Sequence, residues 1–193
     1  MTERRHRLTP WVIVLLLAGA PGVRAELQPA APPSPKAVEA LRQLKSTDPF
    51  ERQKAFLRLE ALRELSTAEP IRSYLHHKDQ EMRAYTVRAL AAIEGPQSVP
   101  TLLETLKVEK SAKVRRAALL GLEPLQQSSA EILPVVLKAL RDKDTEVRMT
   151  AVDIVSRIDD PRAREAILMR AKRERRPDVR RVLTMALKRI GQP

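Results

Sequence analysis

Five arginines, Arg52, Arg83, Arg115, Arg148 and Arg180, stand 31, 32, 33 and 32 residues apart, each at the same place in a similar apolar pattern. A unit of that length is too small to enclose a core of its own, so it buries its apolar face only by stacking on its neighbours. The spacing therefore predicts an all-α, right-handed solenoid of about five helix pairs. Such a chain builds an extended surface more readily than a closed catalytic pocket.

Each repeated arginine sets a register. Three residues after it stand Ala55, Thr86, Ala118, Ala151 and Leu183; seven after it, Leu59, Leu90, Leu122, Val155 and Leu187; ten after it, Leu62, Ile93, Leu125, Ile158 and Ile190. At 100° per residue these positions fall on one stripe about 80° wide, the buried face of an amphipathic helix. Four residues before the arginine, Asp48, Asp79, Ser111 and Asp144 are suited to accept hydrogen bonds from the orphan amides of a first turn, and so to open the second helix of each pair. The fifth repeat has Arg176 in that place, followed by Pro177, which costs nothing at a first helical position. First helices are expected over 36–44, 69–75, 98–106, 130–140 and 162–171, with Pro70, Pro100 and Pro134 in early turns that bend the entry.

The segment DKDTEVRMTAVDIVSRI, residues 142–158, resembles the HEAT-repeat consensus, in particular the short HEAT-like units of phycobilisome lyases. KSAKVRRAALLGL and HKDQEMRAYTVRALAAI are weaker copies, and the resemblance spans about residues 36–190. It implies the armadillo/HEAT type of solenoid and says little about activity, because one fold serves unrelated roles. In such proteins the repeated arginine pairs with an acid of the neighbouring repeat. Glu109, Asp142 and Glu174, six residues before Arg115, Arg148 and Arg180, are the matching acids, while Ser46 and His77 replace them in the first two repeats. Arg52, Arg83, Arg115, Arg148 and Arg180 are thus expected to form a structural ladder. The family also implies a lyase-type enzyme as a remote alternative.

The amino terminus reads as an export signal over residues 1–25: Arg4, Arg5 and Arg7, an apolar run from Trp11 to Ala20, and a Val-Arg-Ala cleavage site ending at Ala25. The run of about 10 residues is well short of the ~20 that cross a bilayer, so no membrane-spanning segment is expected after cleavage. The destination would be the periplasm or the exterior. Residues 26–35, ELQPAAPPSP, hold four prolines and read as a disordered tether, leaving residues 36–193 as the repeat domain. With no cysteine in the chain, stability must come from helix packing rather than disulfides.

Chemistry is sparse along this sequence. His76 and His77 are adjacent and lack further nitrogen or sulfur ligands nearby, so no metal site is expected, and neither a glycine-rich phosphate loop nor a nucleophile elbow occurs. No catalytic residue, cofactor or metal is assigned. The informative face lies one, five and eight residues after each repeated arginine. There Leu57, Arg88, Arg116, Leu120, Met149, Asp153, Arg181 and Met185 form a strip on the concave side of the solenoid, an expected binding surface for another protein.

Charge adds a second expectation. The formal net charge is +12, and residues 161–193 hold 11 Lys/Arg against 3 Asp/Glu, whereas residues 26–160 are nearly balanced at 21 against 20. Lys172, Arg173, Arg175, Arg176, Arg180 and Arg181 make a basic end able to attract anionic lipid or polymer. Two Phe and two Tyr offer too little aromatic surface for base stacking, which disfavours nucleic acid. The sequence thus points to an exported, non-catalytic scaffold or adaptor, with an anionic-surface binder as the alternative.

Overall fold

The computed structural model describes residues 31–190, and among these the regular structure is helical. The expected export signal and residues 26–30 of the tether lie outside the described residues. Five pairs follow one another: α1 (Pro35–Gln43) and α2 (Pro49–Leu62), α3 (Ala68–Arg72) and α4 (Gln80–Glu94), α5 (Val99–Val108) and α6 (Ala112–Leu122), α7 (Ser129–Ala139) and α8 (Thr145–Val155), α9 (Pro161–Arg173) and α10 (Pro177–Ile190). The second helices α2, α4, α6, α8 and α10 pack side by side in chain order, and each pairs with its own first helix. This is the α-solenoid that the arginine period predicts.

The starts of the second helices follow from their caps. Asp48 accepts from the amide of Phe50, Asp79 from Glu81, and Asp144 from both Glu146 and Val147, at 2.9–3.1 Å. Ser111 occupies the same position but makes no cap bond; its hydroxyl donates to Gln80 Oε1 across the repeat boundary at 2.7 Å. Pro177 opens α10, as expected. At the other end α2 closes on Arg63 in the left-handed region, φ 51°, and α4 on Gly95, φ 56°. Helix α1 begins one residue before its expected start, because Ser34 caps it while its amide and hydroxyl both donate to Glu64, at 2.8 and 2.6 Å.

First helices are more broken than the apolar pattern suggests. Short 3-10 turns precede α3, α5 and α7, and another follows α3. Thr67 and Ser98 are fully buried, and their hydroxyls close these turns on the carbonyls of Glu64 and Gly95. Pro70 and Pro100 lie in the first turns of α3 and α5, as predicted, whereas Pro134 stands in the interior of α7, whose start at Ser129 places a full turn before it.

The arginine register marks the core at its third and seventh positions, although Leu187 and, at the tenth, Leu62, Leu125 and Ile190 are only partly buried. Ala55, Thr86, Ala118, Ala151 and Leu183 are buried, as are Leu59, Leu90, Leu122 and Val155. Thr86 is tolerated there because its hydroxyl bonds the Met82 carbonyl one turn back. Each large aliphatic side chain so buried contributes about 1.5–3 kcal/mol. The buried residues fall into two clusters that meet on α4: one runs from Ala40 to Ile93, the other from Ala84 to Ala186. The first includes Phe56, which packs on Tyr74 and Tyr85 with ring centroids 6.1 and 5.8 Å away.

Candidate functional site

The repeated arginines are placed by the first turn of each second helix, and three of them bridge repeats. Arg83 donates to both oxygens of Glu109 at 2.9 and 3.0 Å, and Arg115 to both of Asp142 at 2.7 Å. Arg148 donates to both of Glu174 at 2.9 and 3.3 Å. Each arginine also spends Nη1 on the two carbonyls that close its own repeat, for example Glu109 and Lys110 in the case of Arg115. One side chain therefore ties its own turn and the next repeat together.

The acids have a second task. Glu109 accepts from the amide of Ser111, Asp142 from that of Asp144, and Glu174 from those of Arg175 and Arg176. In the first two repeats Ser46 Oγ and His77 Nδ1 accept the equivalent amide. What recurs in all five turns is an acceptor; only the last three acceptors carry charge and form a rung. Arg52 is held by the carbonyls of Ser46 and Thr47 alone, and Arg180, at the end of the stack, is exposed.

Electrostatics follow the hydrogen bonds. The Arg83 guanidinium holds the Glu109 carboxyl below its ordinary range. Burial pushes Asp142 upward, but the bonds from Arg115 and the Asp144 amide outweigh it and leave the group lowered. Burial likewise opposes ionisation of Glu174, yet the Arg176 amide, Arg170 and Arg148 together bring it down to about 2. Two other carboxylates behave in the opposite way. Burial raises Glu60 and Glu94 despite their pairing with Arg88 and Arg72, and each keeps one buried oxygen without a partner. Nothing in the apolar periodicity marks either one: Glu60 finds its partner in the next repeat and Glu94 on the first helix of its own.

The predicted binding strip is partly free and partly engaged. Position five after each arginine reads Leu57, Arg88, Leu120, Asp153 and Met185, an alternation of apolar and charged side chains along α2, α4, α6, α8 and α10. Leu57, Leu120 and Met185 are exposed by 45, 42 and 62 %. The two charged members are braced: Arg88 pairs with Glu60 at 3.0 Å, and Asp153 with Arg157 at 2.7 Å and Arg189 at 3.2 Å. Arg116 reaches Glu146 at 3.9 Å, and Arg181 is exposed. Met149 differs from its expected role, because it packs partly buried against the core rather than standing free. A cleft of about 460 Å³ lies on this face, lined by Gln53, Ala84, Arg88 and Arg116 among others.

At the basic end, Arg176 is paired with Asp178 at 2.8 Å, whereas Lys172, Arg173, Arg175, Arg180 and Arg181 are exposed and bridge to no carboxylate among the described residues. Among those residues, too, no group of His, Asp and Glu is arranged to hold a metal ion, and no helix is long and apolar enough to cross a membrane.

Its stacked helix pairs place this chain in the class of α-solenoid proteins. The HEAT-repeats model matches residues 34–123 and 99–188, and the chain belongs to the HEAT-repeat family. No curated protein sequence matches it. Among solved structures, a chain from the complex of CpcE and CpcF of phycocyanin lyase from Nostoc sp. PCC7120 is 21 % identical, with a TM-score of 0.62 over 78 % of this chain and 96 % of that one. YibA from E. coli is 17 % identical, with a TM-score of 0.59 over 80 % of this chain and 61 % of that one. A designed armadillo repeat protein in complex with the peptide (KR)4 is 12 % identical, with a TM-score of 0.54 over 79 % of this chain and 80 % of that one. At these identities the likeness establishes the fold.

Proposed function

We propose that this chain is an exported, non-catalytic scaffold that binds a partner protein along the face of its second helices. The supporting observation is the row of Leu57, Leu120 and Met185, large apolar side chains left exposed at equivalent positions of α2, α6 and α10. With helices roughly 10 Å apart, the three recur about every 20 Å. That spacing suits an extended partner that presents several apolar anchors, and the ion pairs of Arg88 and Asp153 between them fix polar contacts at a defined register. The helix pairs make that row rigid, so the partner supplies the ordering cost.

The test is the triple substitution Leu57→Ser, Leu120→Ser and Met185→Ser. All three sites are exposed, so thermal stability should change little, while a protein recovered with residues 26–193 from envelope and secreted fractions at high salt should be lost per folded molecule. Equal recovery by the triple variant would overturn the reading. Export itself is checked by fractionating the full-length chain, with residues 1–25 deleted as the comparison.

A second reading is favoured by the cations of the last repeat that form no ion pair among the described residues. Lys172, Arg173, Arg175, Arg180 and Arg181 would attach the molecule to an anionic surface in the envelope by salt-sensitive attraction. Retention on acidic vesicles or heparin that vanishes when residues 172–176 are neutralised supports attachment through that run; retention that persists rejects the run as the point of attachment.

A further inference from the structure

The first helices α7 and α9 of the last two repeats leave between them a cleft of about 390 Å³. Its floor is apolar, made by Leu137, Leu140, Ala166 and Met169, and four cations, Lys138, Arg141, Arg170 and Arg173, stand around it with no carboxylate in the lining. Arg170 is committed to Glu174. Lys138, Arg141 and Arg173 are exposed and make neither an ion pair nor a side-chain hydrogen bond among the described residues. Next to Met169, which is 42 % exposed, Leu168 is 37 % exposed on the outer face of α9.

We infer that this cleft seats an acidic phospholipid at a bilayer surface. The phosphodiester lies among Lys138, Arg141 and Arg173, the first acyl carbons rest on Leu137, Leu140 and Met169, and Leu168 enters the interface beside them. Charge and hydrogen bonding together select this occupant. The polar side chains of the lining are all donors, which match the acceptor oxygens of a phosphodiester but leave the amides of an extended peptide without side-chain acceptors. The inference rests on the reading of the basic end as an anionic-surface binder, and it moves the centre of recognition from the 172–176 run to the α7–α9 cleft.

The experiment is co-sedimentation of residues 26–193, which contain every helix described, with vesicles of phosphatidylglycerol and phosphatidylcholine, and with phosphatidylcholine alone, at low and high salt. Lys138→Glu with Arg141→Glu should weaken binding to acidic vesicles about 25-fold or more, since each cation near an anionic leaflet is worth about a factor of five. Met169→Gln should weaken it at both salt concentrations, and the unaltered protein should stay in the supernatant when phosphatidylcholine vesicles alone are sedimented. Lys138→Gln with Arg141→Gln serves where charge reversal perturbs folding, which circular dichroism reports. If both cleft variants bind as the unaltered protein does while neutralising residues 172–176 abolishes binding, the cleft assignment is overturned and the basic-end reading stands. If the unaltered protein sediments with no vesicle, both are overturned, and retention on immobilised poly-glutamate would then give the cleft to an acidic protein.

Discussion

Arg115 and Asp142 show how much one rung controls. Their side chains are 8 and 13 % exposed, and both guanidinium-to-carboxylate bonds measure 2.7 Å. Removing one partner strands a buried charge, so Asp142→Ala should cost about 3–5 kcal/mol in urea unfolding. Replacing both by Leu should cost much less than the two single changes together, because no charge is then left behind. Glu174 makes the same point through pH. Its folded value of about 2 lies below the ordinary 4.5, so its ionised form stabilises the fold fully above pH 4.5, and that contribution is lost as pH falls toward 2. Acid titration of stability should therefore lose about 3 kcal/mol over that window from this group, and Glu174→Gln should flatten the corresponding part of the profile. An acid limb unchanged by that substitution would contradict the assignment.

At the scale of the element, closure and close approach decide the sign of small changes. Gly121 lies where α6 meets α4, and a Cβ there would come within 2.9 Å of Ala91 Cβ. Alanine would gain up to about 1 kcal/mol of helix propensity, but overpacking costs about 1–3 kcal/mol. Gly121→Ala should accordingly lower the melting temperature. Arg63 holds a left-handed φ of 51° at the end of α2 with an exposed side chain, so Arg63→Gly should raise stability by about 0.5–1 kcal/mol despite the added freedom of the unfolded chain. The elements themselves were largely legible in the sequence, because a buried stripe needs apolar residues at fixed angles and Leu59, Leu90, Leu122 and Val155 satisfy it. The 3-10 turns were not, since they depend on Thr67 and Ser98 being buried by neighbouring helices. Ser111 occupies the cap position that the register predicts, but its hydroxyl is turned toward Gln80 of the preceding repeat and accepts no first-turn amide, an orientation that only the neighbouring repeat decides.

Across the whole molecule, stability should be graded along the stack. The joint between the first and second repeats has His77 where later joints have an acid, and its core is the separate cluster around Phe56. Native-state hydrogen exchange should find α1 and α2 opening at lower free energy than α6 and α8, and His77→Glu, by giving Arg52 a partner, should narrow the gap. Equal protection along the stack would refute this gradation. The outward row at position five was visible in the sequence as a face, whereas the partial burial of Met149 and the α7–α9 cleft depend on how consecutive repeats settle against each other, which no single repeat encodes. The ladder also bears on how such a chain lengthens. Within one unit the acid looks back to the preceding arginine and the arginine looks forward to the following acid, so Glu109 through Arg141 is a self-balanced cassette. A tandem copy placed after Arg141 would find Arg115 waiting for its acid and Asp142 waiting for its arginine. Duplication at that seam adds a joint without orphaning a charge, which makes the interior of this molecule a place where growth by copying is structurally silent.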